Sequence, residues 1–292
     1  MSGIHENNDG IISAAQLLKE IEEELKAYGI ENSRTEARII VEHFTNRDYS
    51  EIISGLADPL SPVEVMEVRL ASKIRLMDFP LALIVGYADF YGIKFHIERG
   101  VLVPRPETET LVDYALKIIT YKFDKPPKIL DLYTGSGNII LSIALKASID
   151  KGIGVDIDPV AIICAENNAI SLKCNTVNFI NEDVSEFFGT LNEKFDLITA
   201  NPPYIPTGDI PSLQKEIREH ENQKAIDGGA DGLYHYRILA KSIPGNLESN
   251  GYFLCEIGFN QKNSVAEIFS EWSKVDFIKD LSGHDRVLVA RP

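Results

Sequence analysis

Between Lys128 and Ala290 the chain alternates short apolar runs with segments of helical period, and no other feature narrows its fold as far. Lys128-Ile-Leu-Asp-Leu-Tyr133, Ile153-Gly-Val-Asp-Ile157, Val177-Asn-Phe-Ile180 and Phe195-Asp-Leu-Ile198 read as four strands. A helix is expected over Pro159–Ile170, between the second and the third. Strands separated by helical crossovers pair in parallel, with helices covering both faces of the sheet. Gly251–Ile257 reads as a fifth strand, and Val275–Lys279 and Arg286–Ala290 as two more. Helices are expected over Leu233–Leu247 and Asn263–Trp272, after a long insertion at Pro206–Gly232. The expected fold class is α/β, a mostly parallel seven-stranded sheet.

The fourth strand runs into Thr199-Ala200-Asn201-Pro202-Pro203-Tyr204-Ile205. Two successive prolines stop the strand ladder, because neither can donate a backbone N–H. The residue before each proline is pushed toward extended geometry. Asn201 and the carbonyl of Pro202 are therefore held at a strand's C-terminal end, with Tyr204 just beyond. That rim is where open α/β sheets bind ligands. An amide oxygen, a fixed carbonyl and an aromatic face together suit a planar –NH2 group.

A glycine turn, Asp131-Leu-Tyr133-Thr134-Gly135-Ser136-Gly137, links the first strand to a helix. It lets the backbone pass close to a ligand, and the helix N-terminus beyond favours a carboxylate or phosphate. It is neither the dinucleotide fingerprint nor a phosphate loop, since G-x-x-G and G-K-[ST] are both missing after the glycine pair. Asp156 follows about 20 residues later at the end of the second strand, where an acid accepts ribose hydroxyls. Asp183 ends the third strand and is placed to accept from an adenine amine. The three features imply an adenosine ligand. Without a phosphate-binding lysine, that ligand reads as S-adenosylmethionine rather than a nucleotide.

Residues 11 to 79 read as helices. Ser13-x-x-Gln16, Ser33-x-x-Glu36 and Ser61-Pro62-x-Glu64 match the capping box. Helices are expected through Leu18–Tyr28, Ala37–Phe44, Tyr49–Leu56 and Pro62–Leu76. None brings catalytic side chains together, so this region reads as a partner-docking module. Leu81–Val85 and Lys94–Ile97 look like the strands of a β-hairpin, with Tyr91-Gly92 as turn residues. Pro106 can open a helix, with Glu107 and Glu109 favoured in its first turn. The expected domains are 1–80 (helical), 81–103 (hairpin linker) and 104–292 (sheet).

The net charge of −15 disfavours a grip on duplex DNA, which needs a basic footprint. No apolar run is long enough to span a bilayer, and Met1–Gly10 lacks the pattern of a secretory signal. Three cysteines without C-x-x-C spacing read as reduced thiols, hence the cytoplasm. His43, His96, His220, His235 and His284 show no metal-ligand spacing, so no metal is expected.

On these residues the chain resembles a known family. Asp-Leu-x-Thr-Gly-Ser-Gly with Asn-Pro-Pro-Tyr is similar to the Rossmann-like class I S-adenosylmethionine-dependent methyltransferases that act on planar amino groups. Pro104-Arg105-Pro106-Glu107-Thr108-Glu109 resembles the PrmC/HemK branch, the glutamine methyltransferases of peptide-chain release factors. The likeness extends to Ile226-Asp-Gly-Gly-Ala-Asp-Gly-Leu233, Glu256-Ile-Gly with Gln261, and Gly283-His-Asp-Arg286. It implies that Tyr133 to Gly137, Asp156, Asp183, Val184 and Asn201 hold the cofactor. It implies that Asn201, Pro202, Pro203 and Tyr204 hold the glutamine of a Gly-Gly-Gln motif in class I release factors, with no stable nucleic-acid or membrane partner. Asn201, Pro202 and Tyr204 are the expected catalytic residues, acting by positioning rather than as a base. Two positions depart from the family. Tyr133 stands where a glycine is common and adds bulk beside the cofactor. Glu221-Asn222 stands where Glu-Pro is common, which loosens a loop. An adenine methyltransferase on DNA or RNA, a glutamine methyltransferase of a ribosomal protein and a catalytically silent binding protein stay open as rivals.

Overall fold

In the computed structural model, which describes residues 12–54, 59–191 and 193–292, the capping signals mark helix starts in two cases of three. Ser13 accepts the Gln16 N–H at 3.2 Å and opens α1 (Ala14–Tyr28), which buries Leu17, Leu18, Ile21 and Leu25. In α2 (Ser33–Thr45) the expected box is not formed. Ser33 is buried inside the first turn, and Asn32 takes the cap position with no side-chain bond. Next come α3 (Tyr49–Ser54) and α4 (Pro62–Arg75); the expected end of α3 at Leu56 lies outside the described residues. Ser61 and Glu64 form the full reciprocal box at the start of α4. Val68 and Ala71 of α4 join the α1 leucines, Ile40, Val41 and Ile52 in one core. Arg75 closes it, donating to both oxygens of Glu36 at 2.6 and 3.2 Å. Removing either partner of such a buried fork costs about 3–5 kcal/mol.

Leu81–Val85 is a helix, α5, and not the expected strand. Five consecutive apolar residues satisfy either period. The Pro80 carbonyl accepts the Leu83 and Ile84 N–H groups, and Leu81 and Ile84 pack on the helical core. The helical unit ends at Val85, and a second compact unit spans Gly86–Pro292.

The hairpin opens this second unit, displaced from its expected span: β1 (Tyr87–Phe90) pairs antiparallel with β2 (Ile93–His96). Tyr91 and Gly92, both at positive φ, make the turn. Pro106–Thr108 forms a single 3-10 turn leading into α6 (Glu109–Lys122). The Glu109 carboxylate accepts the Tyr91 N–H at 2.7 Å and so ties the helix start to the hairpin turn.

The remaining elements follow the alternation: β3 (Lys128–Leu132), α7 (Asn138–Lys146), β4 (Lys151–Asp156), α8 (Pro159–Ser171), β5 (Val177–Asn181), α9 (Val184–Thr190) and β6 (Phe195–Ala200). The insertion is not structureless. After a 3-10 segment it carries α10 (Lys215–His220) and α11 (Gln223–Ile226). Then come α12 (Tyr234–Ser242), β7 (Leu247–Glu256), α13 (Lys262–Ile268), β8 (Lys274–Lys279) and β9 (Asp285–Arg291). The seven sheet strands run β5-β4-β3-β6-β7-β9-β8. All neighbours are parallel except β7 with β9 and β9 with β8. The chain order reverses direction between β3 and β6, so a crevice opens beyond their C-terminal ends. Beneath it Leu130, Ile198 and Phe253 pack with Tyr236, Leu239 and Phe269 in a continuous buried core.

Candidate active site

The glycine turn after β3 is held from below by two acids. Tyr133, Gly135 and Gly137 have φ of 58°, 56° and 76°, the left-handed region that favours glycine. Tyrosine adopts it here because its ring finds partners. The hydroxyl lies 3.2 Å from His235 Nδ1, and the two rings meet edge to face. Asp156 accepts the Gly135 N–H at 2.9 Å and, with its other oxygen, the Asp158 N–H at 2.9 Å. Burial raises the Asp156 pKa, and these backbone bonds pull it back. Asp131, not singled out from the sequence, lies fully buried beneath the turn. The Thr134 hydroxyl donates to one of its oxygens at 2.7 Å and the Thr199 hydroxyl to the other at 2.6 Å. Burial pushes its pKa up to about 7, against those two hydrogen bonds. The available signal was an acid inside an apolar strand.

Three cavities meet above this frame. Tyr133, Thr134, Gly135, Asp156 and Asn201 line the first, of about 330 Å³. Asp183 and Val184 line the second, of about 460 Å³, which shares Tyr133 and Pro203 with the first. Asp183 also caps α9 through the Ser185 N–H at 2.8 Å, and its hydrogen bonds to Ser185 lower its pKa. Pro202 and Tyr204 line the third, of about 110 Å³, which shares Asn201, Pro203 and Arg105 with the first. Ser136 and Gly137 line none of the three. Ser136 is buried against Asn138, and Gly137 packs near Leu141, Ala165 and Phe179, so both shape the turn instead.

The Asn-Pro-Pro-Tyr rim is fixed by residues far away in sequence. The Gln261 amide donates to the Tyr204 carbonyl at 2.9 Å and to the Gly232 carbonyl at 3.2 Å. The Tyr236 hydroxyl donates to Gln261 Oε1 at 3.2 Å, which orients the amide. Gly228 and Gly232 let the insertion press on Tyr204. A Cβ on the first would lie 2.7 Å from Tyr204 Cα, and one on the second 2.5 Å from the Tyr204 carbonyl oxygen. Glu256, fully buried at the end of β7, accepts the Thr108 hydroxyl at 2.6 Å. The Tyr204 hydroxyl points at its other oxygen, 3.4 Å away. Burial pushes the Glu256 pKa up to about 7. Burial also raises the Tyr204 pKa, so the phenol stays protonated.

Asn222 does not loosen its loop. It caps α11 by accepting the Lys224 N–H at 3.1 Å, and its Nδ2 donates to Asp158 at 2.8 Å. That tether does by hydrogen bonding what a proline does by restricting φ. Among the described residues no group of acids, histidines and cysteines could hold a metal, and the three cysteines are buried and free.

Residues 16–86 match the model of the PrmC N-terminal domain, and residues 123–277 match that of a methyltransferase domain. A release factor glutamine methyltransferase of Caulobacter vibrioides is 36% identical over 91% of this chain and 91% of its own length. The chain belongs to the release factor glutamine methyltransferase family. Another relative of that name, from Agrobacterium fabrum, is 33% identical over 91% of this chain and 93% of its own. A solved methyltransferase structure from Pyrococcus furiosus superimposes with a TM-score of 0.50 at 18% identity, over 69% of this chain and 89% of that one, which shows the shared fold.

In this glutamine methyltransferase family member, the sequence pointed to residues at strand ends and gave no role to those that hold them. Asp131, Glu256 and Gln261 position the turn and the rim, and all three stood in stretches the resemblance covered without being given a role there. Arg105 had drawn notice only within its proline motif. It is ion-paired with Glu221 of the insertion, across 116 residues of sequence.

Proposed function

We propose that the protein transfers a methyl group from S-adenosylmethionine to the side-chain amide nitrogen of the glutamine in the Gly-Gly-Gln motif of class I peptide-chain release factors. The observation that carries this reading is one shared wall. Asn201 and Pro203 line both the cavity over the glycine turn and the smaller cavity that Tyr204 lines, so the two ligands meet at the end of β6.

S-adenosylmethionine supplies an electrophilic methyl group on its sulfonium. The residues of this chain fit it. Each oxygen of Asp156 accepts one backbone N–H, which leaves each a lone pair for a ribose hydroxyl. Asp183 and Val184 border the neighbouring cavity, suited to the adenine, and the glycine turn admits the methionine end. An amide nitrogen is a poor nucleophile because its lone pair is delocalised into the carbonyl. Asn201 Oδ1 and the Pro202 carbonyl accept its two N–H groups, which orients the nitrogen and favours its pyramidal geometry in the transition state. The Tyr204 ring offers an electron-rich face to the developing positive charge, worth about 0.5–2 kcal/mol. No side chain is assigned as a base, since the methylated amide is acidic enough to release its proton afterward.

The partner is accordingly a protein, the release factor, and the helical unit ending at Val85 docks it. The cytoplasm is the matching location, since translation takes place there. The deciding experiment offers labelled cofactor and the purified protein three acceptors: release factor, duplex DNA and ribosomal proteins. Label on the release-factor glutamine is expected. Label on DNA adenine or a ribosomal-protein glutamine instead would overturn the substrate reading.

A further inference from the structure

The small cavity beside Asn201 holds an acid that the mechanism above does not use. Glu221 follows α10, and its side chain is 4% exposed. Its Oε1 pairs with Arg105, while Oε2 is buried and meets no donor among the described residues. Buried carboxylate oxygens in native proteins nearly always have a partner. Burial raises the Glu221 pKa and Arg105 opposes the rise. Asn201, Pro202 and Tyr204 line the same cavity, together with the apolar Ile217 and Ala225.

We propose that Glu221 is a substrate-binding residue whose Oε2 accepts a main-chain N–H from the segment carrying the target glutamine. The inference rests on the substrate reading given above. Asn201 and the Pro202 carbonyl already take both N–H groups of the target amide, so a third acceptor is left for the backbone that presents it. About 110 Å³ admits little beyond one side chain, so the donor comes from a peptide group at the mouth. Glycines beside the glutamine leave that group unshielded. Arg105 is the positioning residue, since its guanidinium holds Oε1 of a side chain that lines the cavity. The same carboxylate works against a glutamate in place of glutamine, because it would face a second negative charge where amide donors belong.

The test compares full-length wild type, Glu221→Gln and Glu221→Asp. Three quantities are read: binding of labelled release factor in the presence of S-adenosylhomocysteine, steady-state kcat and KM on release factor, and calorimetric cofactor affinity. Glu221→Gln is expected to raise both Kd and KM for release factor by about ten- to a hundredfold, the scale for a hydrogen bond to a charged group. Its kcat should stay within about threefold and its cofactor affinity within about twofold, both below the scale of one lost hydrogen bond to a charged group. Glu221→Asp keeps the charge but draws it back, and should fall between. Unchanged Kd and KM in Glu221→Gln would overturn the assignment. So would a matching loss of cofactor affinity or of kcat alone, which would make Glu221 a prop of the cofactor cleft. If wild type neither binds nor methylates release factor, the substrate reading falls, and this assignment with it.

Discussion

Asp131 and Glu256 are both fully buried, both bonded to a threonine hydroxyl, and both lifted to a pKa of about 7. Their partners differ. Asp131 is held by Thr134, three residues on, and by Thr199 on the neighbouring strand β6. Glu256 is held by Thr108, 148 residues away, and faces Tyr204 on the loop past β6. The end of the crevice proposed for the cofactor is thus built from one turn and adjacent strands of a sheet. The end proposed for the substrate is assembled from the proline motif, the insertion and β7. A sheet-borne site keeps its geometry without a ligand, whereas one assembled from loops depends on several separate contacts.

The largest effect expected from this comparison lies in stability against pH. Both carboxyls keep a proton in the folded chain where the unfolded chain, with ordinary values of 3.8 and 4.5, has lost it. The native state then binds more protons between about pH 4 and 7, so stability falls as pH rises through that window and levels off above it. Each carboxyl contributes at most about 4 kcal/mol of this dependence. Thermal unfolding of Asp131→Asn at pH 5 and pH 7.5 should show a smaller difference than wild type. An identical difference would mean that Asp131 is ionised in the fold, and the likeness between the two acids would fail.

Turnover comes next. Asn201→Ala removes one of the two acceptors proposed for the target amide while leaving both prolines in place. We expect kcat on release factor to fall by roughly 10²–10³, as for loss of one preorganised contact, with cofactor affinity changed much less. Near-normal kcat would reduce Asn-Pro-Pro-Tyr to a turn. Asp156→Ala sharpens the other side of the comparison. Cofactor binding should weaken by about 1.5–3 kcal/mol, measured by calorimetry, because a charged acceptor for the ribose is lost. Equal affinity in the folded variant would misplace the cofactor. The smallest effect belongs to Tyr204→Phe, which keeps the aromatic face and gives up only a hydroxyl 3.4 Å from Glu256. A loss in kcat of no more than about fivefold is expected, against a larger loss in Tyr204→Ala. A Phe variant as impaired as the Ala variant would give the Glu256 contact a catalytic weight that its length does not suggest.

Where the sequence misled, packing had the choice. Leu81–Val85 carries no period, so its contacts with the helical core decided for helix. Ser33 matches a capping box but lies one position inside the helix, because Asn32 occupies the cap. Asn222 reads as a loss of proline rigidity, and only its bond to Asp158 shows what replaces it.

Local chemistry determined a good deal from the sequence alone. Strand and helix periods set the α/β sheet, two prolines ended β6, and glycines marked the turn after β3, because each effect acts within a few residues. The pairs that hold the Asn-Pro-Pro-Tyr rim and the insertion beside it were decided by the tertiary structure: Glu256 with Thr108, Gln261 with the Tyr204 carbonyl, and Glu221 with Arg105. Each joins segments between 57 and 148 residues apart. No spacing rule reaches across such distances. A buried carboxyl or amide takes whichever partner the packed sheet and its loops bring within about 3 Å, since leaving it unpaired costs more than any local preference can return.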